Sequence, residues 1–331
     1  VAVDPLLQVK NLQTYFFTYE GVVKAVDDVT YEVMAGETLG LVGESGCGKS
    51  VSALSLMRLI PDPPGKTVGG EVLFDGEDIL QIDMDDMRRI RGAKMAMVFQ
   101  EPMTSLNPVL TLDRQLTETI QLHLGKSRDE ARKDAVDLLV RVGISDAERR
   151  IRQYPHQFSG GMRQRVMIAM ALSCNPQLII ADEPTTALDV TIQAQIINLL
   201  EDLQERYNLT YLFIAHDLSV VRHISDRVAV MYLGKIVEVA DRNAIYENPQ
   251  HPYTRALLSA VPIPDPVLDA QRERIILTGE VPSPLNPPSG CVFHPRCPIV
   301  TDDCSRVNPE ARQVLPDHIA ACINVPGYGP Y

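Results

Sequence analysis

Residues 43–50 have side-chain types and a spacing that suit phosphate binding. Their sequence, GESGCGKS, fits the pattern G-x-x-x-x-G-K-S and lies between an apolar run, TLGLV, and a helical stretch, VSALSLMRL. The glycines let consecutive backbone N–H groups turn towards a phosphate, and the start of the helix adds positive potential. We therefore expect Lys49 to reach the β- and γ-phosphates of a nucleotide and the Ser50 hydroxyl to coordinate Mg²⁺. The predicted nucleotide-binding residues of this loop are Gly43, Glu44, Ser45, Gly46, Cys47, Gly48, Lys49, Ser50 and Val51.

Two carboxylates follow a second apolar run, LIIA, about 130 residues further along the chain. Asp182 and Glu183 then lie just beyond a buried strand, and the carboxyl ends of parallel strands form the ligand-binding edge of such sheets. A lone Asp-Glu pair is usually a solvated turn, but the apolar run and the phosphate loop favour a functional pair. We expect Asp182 to hold Mg²⁺, and Glu183 to polarise the water that attacks the γ-phosphate.

The stretch FSGGMRQR contains a second glycine turn at the start of a predicted helix. Such a turn also suits phosphate binding, yet one nucleotide needs only one phosphate loop. Ser159, Gly160 and Gly161 are therefore expected to bind a nucleotide that another subunit holds.

This stretch resembles the signature L-S-G-G-Q of ATP-binding-cassette (ABC) ATPases. Phe158 replaces the leucine of that signature and Met162 replaces its glutamine, whereas the serine and both glycines are intact. The other landmarks of the family appear in the family's order, and the resemblance covers roughly residues 5–262.

The resemblance implies roles for three further residues. Gln100 is similar to the family's Q-loop glutamine, which senses Mg²⁺ and nucleotide and faces the membrane partner. Asp189, in the sequence TALD, is similar to the D-loop aspartate that crosses a dimer interface, and His216 resembles the switch histidine that contacts the γ-phosphate. The predicted catalytic residues are Lys49, Glu183 and His216.

The N-terminal segment, residues 6–35, is expected to form short strands that carry the adenine contact. The resemblance places an aromatic side chain that stacks on adenine at Phe16, with Tyr15 and Phe17 as alternatives.

The predicted strands and helices that carry these residues alternate along the chain. The runs TLGLVG, MAMVFQ, QLIIAD, TYLFIA and VAVMYL are typical of buried strands, and MAMVFQ is expected to end at Gln100. Helical periodicity marks residues 109–142, where Ser127 and Glu130 form a capping box, and residues 190–207. This alternation predicts an α/β fold with a mainly parallel sheet. The resemblance implies an ABC-type P-loop NTPase with added antiparallel β and helical subdomains, the helical one at about 101–158.

Composition limits the class of protein. The 331 residues include 31 Lys plus Arg against 43 Asp plus Glu, a formal charge of -12, which argues against nucleic acid as the main partner. The N-terminus, VAVDPLLQVK, lacks the pattern of a signal peptide, and no run reaches the ~18 apolar residues of a membrane span. A cytosolic chain of this kind is expected to hold free thiols or metal thiolates rather than disulfides.

Four of the six cysteines lie in the last 41 residues, after a proline-rich segment that begins near residue 249. These four are separated by 5, 6 and 17 residues, which lacks the paired knuckles of zinc sites and the spacing of bacterial ferredoxins. The spacing leaves metal ligation and unlinked structural thiols both open, and His294 and His318 are alternative ligands. The four cysteines are Cys291, Cys297, Cys304 and Cys322.

The C-terminal segment that carries the four cysteines, the tail, resembles one subgroup of this family. The sequence NPQHPYTRALLSAVP, then C-x5-C-P-x5-C and HIAAC, resembles the C-terminal extension of peptide-importer ATPases, the dipeptide, oligopeptide and nickel group. The resemblance implies a [4Fe–4S] cluster held by all four cysteines, with zinc as the runner-up. A metal can staple a proline-rich tail that has little core. We expect an ATPase domain at 1–262 and a small, irregular, metal-stapled extension at 263–331.

The same resemblance implies the partners and the place of action. We expect an ATPase subunit that powers import of dipeptides or oligopeptides by closing head to tail with a second ATPase subunit, either the same chain or a paralogue. Two membrane-spanning subunits would receive the solute from an extracytoplasmic peptide-binding protein. The subunit would lie peripherally at the cytoplasmic face of the inner membrane.

Other classes keep some support from the sequence. Import of nickel or of antimicrobial peptides would use the same architecture, and the clustered cysteines also suit redox or metal sensing. A soluble cassette ATPase of DNA repair or translation is disfavoured, because only 108 residues separate Ser50 from Ser159 and the chain has one cassette. An exporter is disfavoured because exporter ATPases are commonly fused to a membrane domain.

Overall fold

The computed structural model describes residues 4–186, 188–261 and 274–329, and these form two compact units. Unit 1 contains the described residues up to 33, residues 38–80 and those from 215 onwards. Unit 2 contains residues 34–37 and the described residues of 81–214. The domain boundary predicted at 262–263 lies outside the described residues.

The strands range from two-residue pairs to long hairpin arms. In chain order they are β1 (Leu7–Thr18), β2 (Gly21–Val33), β3 (Thr38–Val42), β4 (Gly65–Phe74), β5 (Glu77–Asp78), β6 (Met95–Val98), β7 (Leu178–Asp182), β8 (Thr210–Ile214), β9 (Arg227–Tyr232), β10 (Lys235–Asp241), β11 (Arg312–Leu315) and β12 (His318–Ala320).

The α-helices range from one turn to five turns. In chain order they are α1 (Lys49–Leu56), α2 (Met84–Ile90), α3 (Pro102–Ser105), α4 (Leu112–Leu124), α5 (Arg128–Arg141), α6 (Ala147–Arg150), α7 (Gly160–Leu172), α8 (Val190–Tyr207), α9 (Leu218–Ile224), α10 (Arg242–Glu247) and α11 (Pro252–Ser259). Short 3₁₀ turns occupy Pro155–Gln157, His294–Arg296 and Asp302–Ser305.

Unit 1 holds two β-structures. Strands β2, β1, β4 and β5 form an antiparallel sheet in that order, and β1 pairs with both β2 and β4 through bulged registers. In the other, the strands follow the order β11, β12, β10, β9, β3. Only the β3–β9 pairing among these is parallel, with Leu39 opposite Arg227. All five residues of β3 are buried, as its apolar sequence requires, so the strand is a fixed base for the loop that follows it.

Unit 2 places three parallel strands in the order β8, β7, β6. Every residue of β7 and β8 is buried. Helices α4, α5 and α7 contact one another, and α7 also contacts β6 and α8. The predicted capping box of α5 is confirmed: the Ser127 side chain accepts from the Glu130 amide and the Glu130 carboxylate accepts from the Ser127 amide. Helix α8 spans the predicted residues 190–207.

Two predictions of local structure need correction. Strand β6 ends at Val98, so Gln100 lies two residues beyond the strand rather than at its end. The sheet strands are not mainly parallel in unit 1, because β9, β10, β12 and β11 pair antiparallel. The hairpin of β11 and β12 in the tail was not predicted, since its short strands lack a regular apolar pattern. Within the described ranges no helix is long and apolar enough to cross a membrane.

Candidate functional site

Residues 43–48 connect β3 to α1 and Lys49 opens the helix, as the phosphate-loop pattern predicts, and two glycines of the loop are sterically required. Gly43 has φ +156° and Gly48 has φ +105°. A Cβ on Gly43 would lie 2.1 Å from the Met231 carbonyl oxygen, and one on Gly48 would lie 2.1 Å from the Ala25 carbonyl oxygen. The chain therefore approaches its own backbone so closely on both sides of the loop that no other residue fits without a shift.

The side chain of Lys49 is buried against the loop. Its exposed fraction is 5%, and its Nζ donates to the carbonyl oxygens of Gly43 at 2.9 Å and Glu44 at 3.2 Å. The ammonium is therefore already inside the loop, where a nucleotide phosphate can replace the carbonyl partners. Cys47 is buried beside it, and burial raises the pKa of the Cys47 thiol, which makes the neutral form dominant.

Glu44 is held by two residues that the sequence did not identify. Its backbone N–H donates to the Tyr253 hydroxyl at 2.9 Å. Its carboxylate accepts from both terminal nitrogens of Arg296, at 2.8 and 3.3 Å. These partners lie 209 and 252 residues away, so no local motif predicts them.

The aromatic residues of β1 are held in different ways. The Tyr15 hydroxyl donates to Asp27 at 2.6 Å, and burial with this hydrogen bond raises the pKa of Tyr15. Phe16 is half-buried, and its ring lies so close to Gly65 that a Cβ there would be 2.8 Å from a ring carbon. Phe17 is 51% exposed. Tyr15 is thus anchored by its hydroxyl, whereas Phe16 and Phe17 have no polar group to fix them.

In unit 2, Asp182 is the last residue of β7 and is buried, with an exposed fraction of 6%. Glu183 follows with φ 47°, a left-handed conformation that turns the chain out of the strand. Its Oε2 accepts from the Gln100 Nε2 at 3.1 Å and from the Thr186 hydroxyl at 2.8 Å. The structure therefore brings predicted residues Gln100 and Glu183 into contact, and adds Thr186 as a second donor to the same oxygen.

The signature-like turn, Ser159 to Gly161, begins α7. Ser159 is exposed, and its Oγ accepts from the Met162 amide at 3.4 Å as the N-cap of the helix. Phe158, the variant residue, is 3% exposed, and the Arg150 guanidinium lies 5.9 Å from its ring centre. The aromatic side chain therefore fills a core position and leaves the polar turn at the surface.

Two other predicted residues lie at exposed element ends. Asp189 caps α8, because its Oδ1 accepts from the Ile192 amide at 3.0 Å. His216 is exposed and follows β8 in the chain, one residue before the N-cap of α9.

All four tail cysteines line one small cavity, together with Phe293 and His294 among others. The amide of Asn324 donates to Cys304 Sγ at 3.3 Å. Burial raises the pKa of the Cys291 thiol to about 12 and that of Cys322 to about 11, so both are neutral without a cation. Four convergent sulfurs fit a thiolate-bound metal group by their chemistry. Within the described ranges, however, no group of three His, Cys, Asp or Glu side chains is arranged to hold a metal ion.

The two histidines considered as alternative ligands have other partners. The His318 Nε2 lies 2.6 Å from the Glu238 carboxylate, and both side chains are buried. The His294 Nδ1 lies 2.9 Å from the Cys291 carbonyl oxygen. All six cysteines, which fall within the described ranges, are free thiols.

Two family models match the chain. Residues 26–186 match the model described as "ABC transporter", and residues 237–304 match "Oligopeptide/dipeptide transporter, C-terminal region". A probable peptide ABC transporter ATP-binding protein, y4tR of Sinorhizobium fredii, is 51% identical over 96% of this chain and 95% of its own length. The oligopeptide transport ATP-binding protein AppF of Bacillus subtilis is 49% identical over 96% of this chain and 97% of its own.

A solved structure shares the fold over most of the chain. The ATP-binding cassette MJ0796, in a dimeric post-hydrolysis state bound to ADP and Pi, has a TM-score of 0.64 and 30% identity. The similarity covers 71% of this chain and 98% of that one.

Proposed function

Because the chain belongs to the family of ATP-binding subunits of ABC transporters, we propose that it powers import of dipeptides or oligopeptides through a membrane transporter. Members of this family are ATPases, so the chain binds and hydrolyses ATP with Mg²⁺. The observation that carries the peptide assignment is the tail, whose residues 237–304 match a region typical of oligopeptide and dipeptide transporters. Relatives named for peptide transport extend over nearly the full chain, which supports the same assignment.

In unit 1 we assign residues 43–51 to the phosphates of ATP. The two sterically required glycines and the buried Lys49 ammonium support this assignment, because a glycine loop that opens a helix and carries a buried positive charge suits a phosphate. Ser50 is assigned to Mg²⁺, which would neutralise phosphate charge. We assign Phe16 to adenine stacking and His216 to the γ-phosphate.

In unit 2 we assign Asp182 to Mg²⁺ and Glu183 to the attacking water. The two hydrogen bonds on Glu183 Oε2 orient the carboxylate, which would act as the base towards the attacking water. Gln100 is assigned to sensing Mg²⁺ and nucleotide, and its contact with Glu183 supports a link between that sensing and the chemistry.

We propose that two ATPase subunits close head to tail around ATP. Residues 43–50 of one subunit and Ser159, Gly160 and Gly161 of the other would hold one nucleotide, with Asp189 at the interface. Closure is a two-state equilibrium that ATP biases through contacts made only in the closed form. Hydrolysis removes those contacts, so the pair reopens and drives two membrane-spanning permease subunits. The helical segment at about 101–158 would contact these permeases.

The remaining assignments concern organisation. We propose an ATPase domain at 1–262 and an extension at 263–331. The subunit would act peripherally at the cytoplasmic face of the inner membrane, with solute delivered to the permeases by an extracytoplasmic peptide-binding protein. The second ATPase subunit would be the same chain or a paralogue, since this chain carries both the phosphate loop and the signature-like turn.

We also propose that Cys291, Cys297, Cys304 and Cys322 hold a [4Fe–4S] cluster, with zinc as the alternative. Their convergence on one cavity supports this assignment. A bound cluster would convert the neutral thiols into thiolates and cross-link the tail. Its expected role is structural.

The test of the catalytic assignment is the variant Glu183→Gln. It is expected to bind ATP normally, lose turnover by at least about 100-fold and accumulate as an ATP-bound dimer, because the amide cannot accept a proton from water. Binding, phosphate release and light scattering measure these three properties. Glu205→Gln, an exchange at an exposed position of α8, is the control. Unchanged hydrolysis in Glu183→Gln would remove Glu183 from the catalytic role.

The solute is tested after purification with the native membrane subunits. In proteoliposomes, ATP-dependent uptake of labelled dipeptides or oligopeptides is expected, and it should disappear with Glu183→Gln. ATP-dependent uptake of Ni²⁺ without peptide uptake would instead place the chain with the nickel importers.

The metal assignment is tested by Cys297→Ser after anaerobic purification. The wild-type chain is expected to be brown and to contain iron and sulfide, and the variant to lose both together with several degrees of unfolding temperature. Cys174→Ser, outside the tail, is the matched control and should keep the iron. A colourless wild-type chain with one zinc ion would establish the alternative, and a metal-free chain would contradict both.

A further inference from the structure

An ion pair between Arg296 and Glu44 connects the tail to the phosphate loop. Arg296 ends the 3₁₀ turn His294–Arg296 and precedes Cys297 directly. Its side chain is 8% exposed and donates from both terminal nitrogens to the Glu44 carboxylate, at 2.8 and 3.3 Å. This two-point geometry is specific to a guanidinium facing a carboxylate, and fixes direction as well as distance.

An aromatic cluster fixes the arginine. The guanidinium lies 6.0 Å from the ring centre of Tyr232, and the Tyr232 hydroxyl accepts from Arg296 Nη1 at 3.5 Å. The rings of Tyr232, Tyr253 and Phe293 pack together, with centroids 4.6 to 5.4 Å apart. All three side chains are buried. The packed rings therefore restrict the side chain of Arg296, and its guanidinium faces Glu44.

Every polar group of Glu44 has a partner. The amide donates to Tyr253, the carboxylate accepts from Arg296, and the carbonyl oxygen accepts from Lys49 Nζ. The same carbonyl also accepts from the Cys47 amide at 3.3 Å. The Glu44 carbonyl oxygen therefore supplies one of the backbone contacts that hold the lysine ammonium within the loop, beside the Gly43 carbonyl oxygen.

The ion pair also changes the net charge next to the phosphate site. An uncompensated carboxylate inside a phosphate loop repels the phosphates, and this repulsion is strong where burial limits screening. Arg296 neutralises that carboxylate and leaves Lys49 as the charge that meets the nucleotide. An arginine that only anchored the tail would be equally effective at any surface carboxylate, but the observed partner lies one residue after Gly43.

We propose that Arg296 is a positioning residue for ATP: it holds and neutralises Glu44, so that the phosphate loop and Lys49 stay in the conformation that receives the phosphates. The inference rests on the proposed function of residues 43–51 as the ATP phosphate site. It makes the cysteine-bearing tail part of the nucleotide-binding machinery, because the residue next to Cys297 then sets the affinity for ATP.

The test compares Arg296→Met, Arg296→Lys and the double variant Glu44→Gln/Arg296→Met in the full chain. Arg296→Met is expected to weaken ATP binding about tenfold, within the usual range of coupling between sites, and to raise KM with little change in kcat. AMP binding should weaken much less, because AMP lacks the β- and γ-phosphates. Arg296→Lys should recover part of the affinity, since it restores the charge without the two-point geometry. The double variant should bind ATP more tightly than Arg296→Met, because no unpaired carboxylate remains.

Arg312→Met is the matched control. Arg312 is also in the tail and pairs with Glu310, so its loss is expected to leave ATP affinity unchanged within twofold. Equilibrium titration with a fluorescent ATP analogue and a thermal unfolding curve are recorded for every variant. If Arg296→Met does not fold, Arg296→Gln is measured in its place, as it keeps one hydrogen bond to Glu44 without the charge.

Two results would overturn the inference. One is normal ATP affinity in Arg296→Met, or its replacement, with a lowered unfolding temperature, which would make the arginine a tail anchor only. The other is equal ATP affinity in the single and double variants. Failure of the wild-type chain to bind ATP would instead refute the proposed function, so the two failures are distinguishable.

Discussion

The phosphate loop at residues 43–50 and the signature-like turn at Ser159–Gly161 are both glycine turns that open a helix, yet they are built differently. The loop is closed by its own unit: a Cβ on Gly48 would lie 2.1 Å from a carbonyl oxygen, and Lys49 is buried. The turn is open. A Cβ on Gly160 would lie 3.6 Å from its nearest neighbour, Leu188, an ordinary van der Waals distance.

This difference separates two reasons for glycine. At Gly48 the fold of the chain itself excludes a side chain, whereas at Gly160 the fold tolerates one. Any requirement for a small residue at Gly160 must then come from something that approaches the turn from outside. That expectation agrees with the proposal that a nucleotide held by a second subunit docks on the turn.

The largest effect on the phosphate loop is expected from a substitution of Lys49. Lys49→Ala is expected to weaken ATP binding by about 30-fold or more, since removing one member of a buried charge pair costs ~2–5 kcal/mol. Isothermal titration of the single chain with ATP measures the loss. Lys10→Ala, which removes an exposed ion pair with Glu71 in the same unit, is the control and should bind normally. Normal ATP binding by Lys49→Ala would remove the loop from the nucleotide site.

Alanine substitutions of Gly48 and Gly160 test whether the fold excludes a side chain at the first position and tolerates one at the second. Gly48→Ala is expected to lower the free energy of unfolding by about 2 kcal/mol or more, because the new Cβ meets the Ala25 oxygen in a left-handed conformation. Gly160→Ala is expected to change it by less than about 1 kcal/mol and to keep single-chain ATP affinity, while lowering the ATPase rate of the dimer. Urea denaturation and phosphate release measure both variants. Equal destabilisation by the two changes would contradict the distinction.

The same contrast explains what the sequence could predict. The loop is contiguous and its constraint is local, so the pattern G-x-x-x-x-G-K-S located β3, the loop and α1. Helix α8 and the capping box of α5 were predicted for the same reason, since periodicity and caps act within a few residues. The membership in the ABC family, inferred from the order of such motifs, was confirmed by the comparisons. The roles of Ser159, Gly160 and Gly161 stay predictions.

Contacts between distant segments could not be predicted. Tyr253 and Arg296 lie in the tail patterns that carry the resemblance, but no local pattern links them to Glu44, and tertiary folding brings them there across more than two hundred residues. The short strands β11 and β12 exist because β10 offers an edge, where Glu238 pairs with Ala320. The strand end near Gln100 was misplaced because one more apolar residue, Phe99, follows Val98. The cluster on the four cysteines stays a prediction, although their shared cavity supports it.

The smallest expected effect is a loss of stability in acid, through a buried histidine that supports the phosphate loop. His251 is 1% exposed, and its Nδ1 accepts from the amide of Tyr253, the residue whose hydroxyl binds the Glu44 amide. Burial lowers the pKa of His251 to about 4 despite the opposing charge of Glu238. An unfolded histidine takes up a proton below about pH 6.5, whereas the folded one resists until about pH 4, so acid favours the unfolded state across that window.

Between pH 7 and pH 5.5 this histidine alone should lower the free energy of unfolding by about 1 kcal/mol. His251→Asn keeps an acceptor for the Tyr253 amide but cannot be protonated, so its stability should fall less over the same interval. Urea denaturation at the two pH values measures the slope, and the exposed His156→Asn in unit 2 is the control. The same slope in wild type and His251→Asn would show that the support of the loop does not titrate through His251. If the stability of His251→Asn falls less with acid, and its ATP affinity also falls less than that of the wild type, the phosphate loop depends on the packing around Tyr253.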